Sequence, residues 1–467
     1  MVKFFDTICA PASSVGTGAI SIVRVCGPEC FAIMDRLVQC RNGKISEAKG
    51  YTMKRGQFSD VDDVVVAVFR NPSSYTGEDA VEIYCHASTY IVGRILELLV
   101  ANGCRLAEAG EFTKRAYLNG KMDLAQAEAV ADVITASSEA QHKVAMNQLR
   151  GGYSAELRSI REEMLHLAAM MELELDFSEE DVEFADRSQL LGLVDKAISR
   201  CETLSDSFRL GNAIKNGVPV AIVGAPNSGK STLLNALLQD ERAIVSDIPG
   251  TTRDIIEECC VISGVLFRFI DTAGIRNASD EIERLGIERT FAKMRQAEVV
   301  LGVVDCSSDS AIDDAKMIFE KASSETRKLV LLCNKIDVVE AELLVNKNVN
   351  TTNKLVFSAD YKDINIVTLK ISAKQDLGLE ELRNELGNSC KISSASDNLV
   401  TNARHAQALK SAAASLREVK NGLSLMIPTD LVAEDLRAAL NTLGSITGEI
   451  STDEVLGEIF GKFCIGK

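Results

Sequence analysis

The sequence predicts a multidomain α/β protein in which a doubly wound α/β domain is inserted between the two halves of a helical domain. The chain has 467 residues, enough for about two to four domains of roughly 100–200 residues each. Short Val/Ile/Leu-rich runs alternate with helical segments after Gly217, whereas apolar residues keep helical spacing on both sides of that region. These patterns predict four segments, with boundaries at 1–121, 122–215, 216–387 and 388–467.

The first segment is expected to be α/β and the second helical. Residues 61–69 (VDDVVVAVF) predict a buried strand, and residues 91–100 predict a helix. From about Met122, apolar residues recur at three- and four-residue steps up to residue 134 and again over 157–175. Long amphipathic helices that face one another are the simplest explanation of that spacing.

The third segment has the pattern of a parallel sheet covered on both faces. Runs that are apolar throughout, which is typical of such strands, are found at 218–223, 267–270, 299–304, 329–332 and 366–371. Helices are expected between them. A serine-rich linker is predicted at 389–397, after which helical spacing returns over 409–419 and 436–450.

Composition excludes several classes of protein. The chain has 51 Lys and Arg against 67 Asp and Glu, so its net charge of −16 argues against coating nucleic acid by bulk charge. We find no apolar run of about 18 residues, so no membrane span is expected. Asp6 interrupts the first apolar stretch, which argues against a secretory signal. Thirteen scattered cysteines without a CxxC pair favour a reducing compartment, so we expect a cytoplasmic protein.

A phosphate-binding loop is predicted between the strand PVAIVG and the helix STLLNALL. The segment from Gly224 to Ser231 fits G-x-x-x-x-G-K-[ST]. Glycines let backbone N–H groups surround phosphates, Lys230 reaches the outer phosphates, and Ser231 is placed to bind Mg²⁺. The candidate phosphate-binding residues are Asn227, Ser228, Gly229, Lys230, Ser231 and Thr232.

Three further motifs follow in order. They indicate that the ligand is a nucleotide and that its base is guanine. The first comprises Asp271, Thr272, Ala273 and Gly274; the second Asn334, Lys335 and Asp337; the third Ser372, Ala373 and Lys374. Asp337 can accept both the ring N–H and the exocyclic amine of guanine, a donor pair that adenine lacks, and such a contact can discriminate by up to ~10⁴-fold. Residues 358–360 (SAD) are a competing match for the third motif, with a poorer junction between strand and helix.

The residue that activates water is not given by these motifs alone. Ile275 follows Gly274, where Ras-like GTPases carry a glutamine that orients the attacking water. Glu283 is the candidate replacement; alternatively it is a surface glutamate in a segment of mixed charge. The Asn227 amide could bind a monovalent cation beside the phosphates, and a potassium ion there would do the electrostatic work of an arginine. The alternative for Asn227 is a loop-capping role.

Four stretches outside these motifs carry a resemblance to a known family: YTGEDAVE at 75–82, GEFTKRA at 110–116, LNGKMDLAQAEA at 118–129, and FCIGK at 463–467. With them, the chain resembles from end to end the MnmE (TrmE) family, which is a member of the TrmE-Era-EngA-YihA-Septin-like GTPases. The resemblance implies an N-terminal α/β folate-binding-like domain that dimerises, a discontinuous helical domain, and an inserted Ras-like doubly wound G domain.

The resemblance also implies an activity and partners. Family members are homodimers whose G domains close on each other in a potassium-dependent way during GTP hydrolysis. With the FAD-containing protein MnmG, in a heterotetramer or larger complex, they install an aminomethyl or carboxymethylaminomethyl group at carbon 5 of the wobble uridine of certain tRNAs. The implied cofactors are GTP, Mg²⁺, K⁺ and 5-formyltetrahydrofolate or a related folate, and no membrane is involved.

Residue roles follow from the same resemblance. Potassium is expected at Asn227, Ser246, Ile248 and Thr251, and magnesium at Ser231 and Thr252. The segment at 246–254 (SDIPGTTRD), the first switch of the G domain, also contributes Asp247, Pro249 and Gly250 to the GTP site, and Glu283 is the water-positioning acid. Folate is expected to contact Arg24, Glu82, Lys121 and Lys467. Cys464 is a candidate catalytic residue for the modification, with a positional, structural role as the alternative; Lys467 at the end argues against prenylation.

Two other functions share the G-domain motifs. One is a pure molecular switch, such as a GTPase of ribosome assembly that modifies nothing. The other is a degenerate G domain that serves as a scaffold and does not hydrolyse GTP. The GEDAVE segment and the FCIGK tail favour tRNA modification over both.

Overall fold

A computed structural model describes residues 5–14, 16–176, 187–239, 258–270, 297–321, 328–338, 365–389, 398–449, 453–461 and 463–466. These residues form two compact units, one made of residues 1–131, 148–198 and 411–467 and the other of residues 132–147 and 199–410. Each unit therefore contains stretches that are far apart in the chain. No helix among the described residues has the length and apolar character needed to cross a membrane.

The N-terminal part forms a mixed sheet with helices. Its elements are β1 (Thr7–Pro11), β2 (Ser21–Cys26), α1 (Cys30–Leu37), β3 (Val38–Cys40), β4 (Thr52–Phe58), β5 (Asp62–Phe69), β6 (Ala80–Cys85), α2 (Thr89–Ala101), β7 (Cys104–Leu106) and α3 (Glu111–Leu118). The strand order among the described residues is β3-β4-β5-β6-β2-β1-β7. In β5, Val64, Val66 and Val68 alternate into the core that α1 and α2 cover. The predicted strand at 61–69 and helix at 91–100 are confirmed.

A helical stretch follows. Its elements are α4 (Leu124–Thr135), α5 (Glu139–Leu149), α6 (Gly152–Asp176), α7 (Arg187–Asp206) and α8 (Phe208–Asn216). In α6, the residues at positions 157, 160, 164, 167 and 171 are buried, which is the three- and four-residue spacing of one helix face. The periodicity in the sequence thus marked the face that packs.

The inserted region is a doubly wound α/β sheet. Its elements are β8 (Val218–Val223), α9 (Lys230–Gln239), β9 (Glu258–Ile262), β10 (Val265–Ile270), β11 (Val299–Asp305), α10 (Ala311–Lys321), β12 (Lys328–Asn334), β13 (Asn365–Lys370) and α11 (Leu379–Ser389). The described strands have the order β13-β12-β11-β8-β10-β9, parallel except for the β9–β10 pair. In β8, Val220 and Ile222 enter one core while Ala221 and Val223 enter the core on the opposite face.

The sheet changes winding direction at β8. From β8 the chain goes first to β9 and β10 on one side and then to β11, β12 and β13 on the other. The crevice at the carboxyl ends of β8 and β11 is therefore the topological switch point, where ligands of open α/β sheets bind. The five predicted strands of this region are confirmed, and the α/β multidomain fold class with them.

Three helices complete the described chain: α12 (Ala403–Ser424), α13 (Thr429–Thr447) and α14 (Asp453–Phe460). Leu436, Leu440 and Leu443 lie on the buried face of α13, which packs against α6. The predicted linker falls almost entirely outside the described residues. The four predicted domain boundaries stay a prediction.

Candidate functional site

The loop between β8 and α9 lies at the switch point of the parallel sheet. Two of its glycines are required by close approach. A Cβ on Gly224 would lie 2.2 Å from the carbonyl oxygen of Val303, and a Cβ on Gly229, where φ is +100°, would lie 2.1 Å from Asn334 Nδ2. Any side chain at either position would therefore push the loop off its neighbours. The phosphate-loop motif thus has a packing reason for its glycines as well as a binding one.

The ammonium group of Lys230 lies over this loop. Its Nζ donates hydrogen bonds to the carbonyl oxygens of Gly224 (2.9 Å) and Ala225 (2.7 Å). Asn227, at the tip of the loop, is exposed and has a φ of +59°. Ser231 and Thr232 are exposed in the first turn of α9. The predicted phosphate-binding residues are thus gathered around one helix N-terminus, which favours anions.

The side chain of Asn334 joins the phosphate loop to the loop after β13. It is 3% exposed. Its Nδ2 donates to the carbonyl oxygen of Ser228 (2.8 Å), and its Oδ1 accepts from the N–H of Ala373 (3.0 Å). One buried amide therefore connects three of the predicted motifs. Asp337 is exposed beyond it, at the end of the β12 loop.

Lys335 is held by an ion pair that the sequence motifs do not indicate. Its φ is +64°, and its Nζ lies 2.5 Å from Asp305 Oδ2 at the end of β11. Burial acts to raise the pKa of the Asp305 carboxyl, but the hydrogen bond from Lys335 and those from Ser307 outweigh it and lower that pKa. Asp305 is therefore ionised at neutral pH.

Several predicted site residues lie outside the described residues. They are Ser246, Asp247, Ile248, Pro249, Gly250, Thr251, Thr252, Asp271, Thr272, Ala273, Gly274, Glu283 and Lys467. The competing motif at 358–360 also lies outside them. Ser372, the start of the preferred match, follows β13 closely and pairs with Leu377 in a short antiparallel bridge.

A second cluster lies on the N-terminal sheet around Arg24. Its Nε and Nη2 both donate to Glu82 Oε1, at 3.1 and 2.9 Å, across the β2–β6 pair. Its guanidinium lies 5.5 Å from the ring centre of Tyr75 and 5.4 Å from that of Phe112. Two predicted folate residues, Arg24 and Glu82, are thus in direct contact, and two aromatic rings fix the arginine.

The third described folate candidate is tied to the same loop as Tyr75. Lys121 Nζ donates to the carbonyl oxygen of Pro72 (3.1 Å). The Tyr75 hydroxyl is 2.9 Å from Thr113 Oγ1. Burial raises the pKa of Tyr75, so its hydroxyl stays protonated and available as a donor. Lys121 therefore contacts the loop that also carries Tyr75, the residue whose ring lies near the Arg24 guanidinium.

A buried arginine supports this region and was missed by sequence reasoning. The Arg115 side chain is 1% exposed, and its Nη2 donates to Asp6 Oδ1 (2.8 Å) and Glu111 Oε1 (2.9 Å). Arg115 Nη1 also lies 3.4 Å from Glu78 Oε2. Burial raises the pKa of Glu111, but hydrogen bonds from Arg105 and Arg115 outweigh it, and the net pKa is lowered.

The C-terminal tail packs on the N-terminal sheet. Phe463 is buried beside Phe460, with ring centres 5.5 Å apart. Ile465 forms an antiparallel bridge with Ala109. A Cβ on Gly466 would lie 1.9 Å from the carbonyl oxygen of Pro11, which only glycine avoids. The tail is therefore fixed on both sides of Cys464, which is exposed.

Comparisons with known proteins agree over nearly the whole chain. The profile of the MnmE helical domain matches residues 124–464, and that of the GTP-binding protein TrmE N-terminus matches residues 7–121. A protein of Flavobacterium johnsoniae named tRNA modification GTPase MnmE is 48% identical over 474 residues, covering 99% of each chain. A protein of Porphyromonas gingivalis with the same name is 49% identical over 480 residues, covering 99% of this chain and 98% of its own.

Similarity to solved structures is lower. A crystal structure of Era in complex with MgGDPNP and part of 16S ribosomal RNA is 26% identical, covers 37% of this chain and 56% of that chain, and has a TM-score of 0.27. The G domain of the T. maritima FeoB iron transporter is 22% identical, covers 37% of this chain and 99% of its own, and has a TM-score of 0.24.

Proposed function

The chain belongs to the tRNA modification GTPase MnmE family, and we propose on that premise that it is a potassium-activated GTPase whose cycle drives modification of carbon 5 of the wobble uridine in tRNA. The family identity supports GTP hydrolysis and a part in tRNA modification. Potassium activation, the FAD-containing MnmG partner, the homodimer and the folate cofactor are our proposals, carried over from the family.

The bridge made by Asn334 is the observation that carries the GTP half of the proposal. Its amide holds the phosphate loop at Ser228 and the loop of Ala373 at hydrogen-bond distance. A nucleotide needs its phosphates and its base recognised at once, and the Asn334 amide fixes the loops proposed for these two tasks relative to each other. This arrangement supports GTP binding, with Asp337 as the proposed acceptor for guanine and the loop of Ala373 as the proposed support for the base.

The residues of the phosphate loop fit a triphosphate. Gly224 and Gly229 keep the loop free of side chains, and Lys230 is partly buried over the loop with its Nζ on two carbonyl oxygens. We propose that Lys230 exchanges those carbonyls for the outer phosphates when GTP binds. Ser231 presents its hydroxyl in the first turn of α9 and, with Thr252, would hold Mg²⁺.

Hydrolysis is proposed to depend on Asn227 and Glu283. Asn227 is exposed at the loop tip, so its side-chain oxygen is available to a potassium ion, with Ser246, Ile248 and Thr251 as the further ligands. Mg²⁺ and K⁺ supply positive charge beside the phosphates when they are bound. Glu283 would orient the attacking water. Positioning and charge neutralisation account for most of the catalysis of phosphoryl transfer to water.

The N-terminal cluster fits a folate. The Glu82 carboxylate can accept N–H groups of a pterin ring. Arg24, whose guanidinium lies near two aromatic rings, holds that carboxylate in place. Lys121 and Lys467 would bind the anionic glutamate tail. Cys464 is held exposed by the packed residues on either side of it, which suits a nucleophilic or proton-transfer role in the modification.

The hydrolysis rate in potassium chloride and in sodium chloride, at equal ionic strength, tests the GTPase half of the proposal. We expect stimulation by potassium of about tenfold or more, which is at least ~1.4 kcal/mol of barrier. The Asn227→Ala variant should bind GTP but lose the difference between the salts. Equal rates for the native chain in both salts would contradict potassium activation, and no hydrolysis in either salt would favour the scaffold alternative.

A further inference from the structure

The two carboxylate oxygens of Asp305 have different partners. Oδ1 accepts hydrogen bonds from the Ser307 N–H (3.0 Å) and Ser307 Oγ (2.6 Å), while Oδ2 accepts from Lys335 Nζ at 2.5 Å. The serine fixes the carboxylate, and the carboxylate fixes the lysine. We propose that Asp305 is a positioning residue for nucleotide recognition, which holds the Lys335 side chain in place against the nucleoside; this rests on the proposed GTP binding.

The path of the Lys335 side chain places it where a nucleoside must lie. It starts at the end of β12, directly after Asn334, and ends at Asp305 at the end of β11. In the sheet, β11 lies between β12 and β8, and the phosphate loop follows β8. The lysine stem therefore runs from the loop that reads the base toward the strand next to the phosphate loop. That is the span between base and phosphates.

The ion pair determines what Lys335 offers to a ligand. A free lysine side chain has many rotamers, and fixing it on binding costs conformational entropy. Here the salt bridge holds the far end of the side chain before any nucleotide arrives, and it starts from a backbone with a φ of +64°. Because Asp305 neutralises the ammonium, the contact surface is the aliphatic stem. Such a surface packs on the flat face of a purine and does not read its exocyclic groups.

The Asp305→Asn variant tests this role with GDP and inosine diphosphate as probes. We expect both to bind about tenfold more weakly, by the same factor, because the stem contacts the ring face that they share; tenfold is about 1.4 kcal/mol. The KM for GTP should rise while kcat at saturation stays unchanged. The control is Asp309→Asn, which removes the same charge from an exposed aspartate in the same loop. This variant should bind GDP and inosine diphosphate as tightly as the native chain does. Native affinity in Asp305→Asn, or a loss confined to GDP, would overturn the proposal.

A double-mutant cycle tests whether Asp305 acts through Lys335. Lys335→Met keeps an apolar stem of similar length but cannot pair with the carboxylate. Adding Asp305→Asn to Lys335→Met should cause no further loss of GDP affinity, whereas a further tenfold loss would mean that Asp305 acts independently and would overturn the proposal. Thermal unfolding of each variant shows whether it is folded. A native chain that does not bind GDP would instead refute the proposed nucleotide site, and this inference with it.

Discussion

Replacing Asn334 by alanine should separate the two loops that its amide joins. The side chain is 3% exposed and makes one hydrogen bond to Ser228 O at 2.8 Å and one from Ala373 N at 3.0 Å. Its loss leaves a backbone carbonyl and a backbone N–H without these partners, each at a cost of about 1–3 kcal/mol. The total is about 2–6 kcal/mol. Water recovers part of it if the loops move apart, which leaves about 2–4 kcal/mol.

Nucleotide binding must restore the arrangement of the loops, so most of this cost should appear in affinity. We expect GDP to bind about 30- to 1,000-fold more weakly, as measured by calorimetric titration. Asn334→Asp keeps the acceptor for the Ala373 N–H but loses the donor to Ser228 O, so it should be impaired as well. Asn216→Ala removes an exposed Asn–Asn hydrogen bond and is the matched control. Affinity within about twofold of the native value in Asn334→Ala would refute this account of the site.

Three further outcomes are expected. Glu283→Ala should lower kcat for GTP hydrolysis by roughly 10²-fold with GTP affinity intact, as for loss of a water-positioning group, and an unchanged kcat would make Glu283 a surface residue. Gly466→Ala should displace the tail, because its Cβ would lie 1.9 Å from Pro11 O, so tRNA modification should be lost while hydrolysis persists; retained modification would contradict that role of the tail. The pKa of Glu111 is lowered in the folded protein, so its stabilising contribution is complete above the ordinary value of 4.5 and is lost as pH falls through the lower native value. In Arg105→Gln, the stability to urea should therefore fall less than in the native chain as pH is lowered from about 6 to about 3, and an identical dependence would show that Arg105 does not set that pKa.

The inserted α/β fold was predictable because its strands have a strong local pattern. The residues of β8 are β-branched or apolar and are buried on both faces of the sheet, and the predicted and observed bounds of that strand coincide at Val218–Val223. The order of the N-terminal sheet was not predictable. There, β1 pairs with β7, so Thr7–Pro11 joins Cys104–Leu106, and nothing in either short segment indicates the other as its partner.

The candidate sites likewise divide into those marked by a local sequence pattern and those formed by residues far apart in the chain. The phosphate loop and the Asn334 motif were located by spacing, because their chemistry is local to a loop. Arg115 was not, because the carboxylates that hold it come from separate segments, Asp6 and Glu78 among them. Asp305 was missed for the same reason: its lysine partner follows the next strand of the sheet. A buried arginine in the polar run EFTKRAYL is indistinguishable from an exposed one until the fold is known.

The most direct test of the account is the wobble uridine of tRNA from a bacterial strain that lacks its own MnmE but retains MnmG. Nucleoside mass spectrometry would compare the strain carrying the native chain with the strain carrying Lys230→Ala. We predict that the native chain restores the modification at carbon 5 and that Lys230→Ala does not. Unmodified wobble uridine with the native chain expressed would contradict the proposed function and favour the pure molecular switch. Full modification with Lys230→Ala would show that the modification does not depend on GTP binding at the phosphate loop.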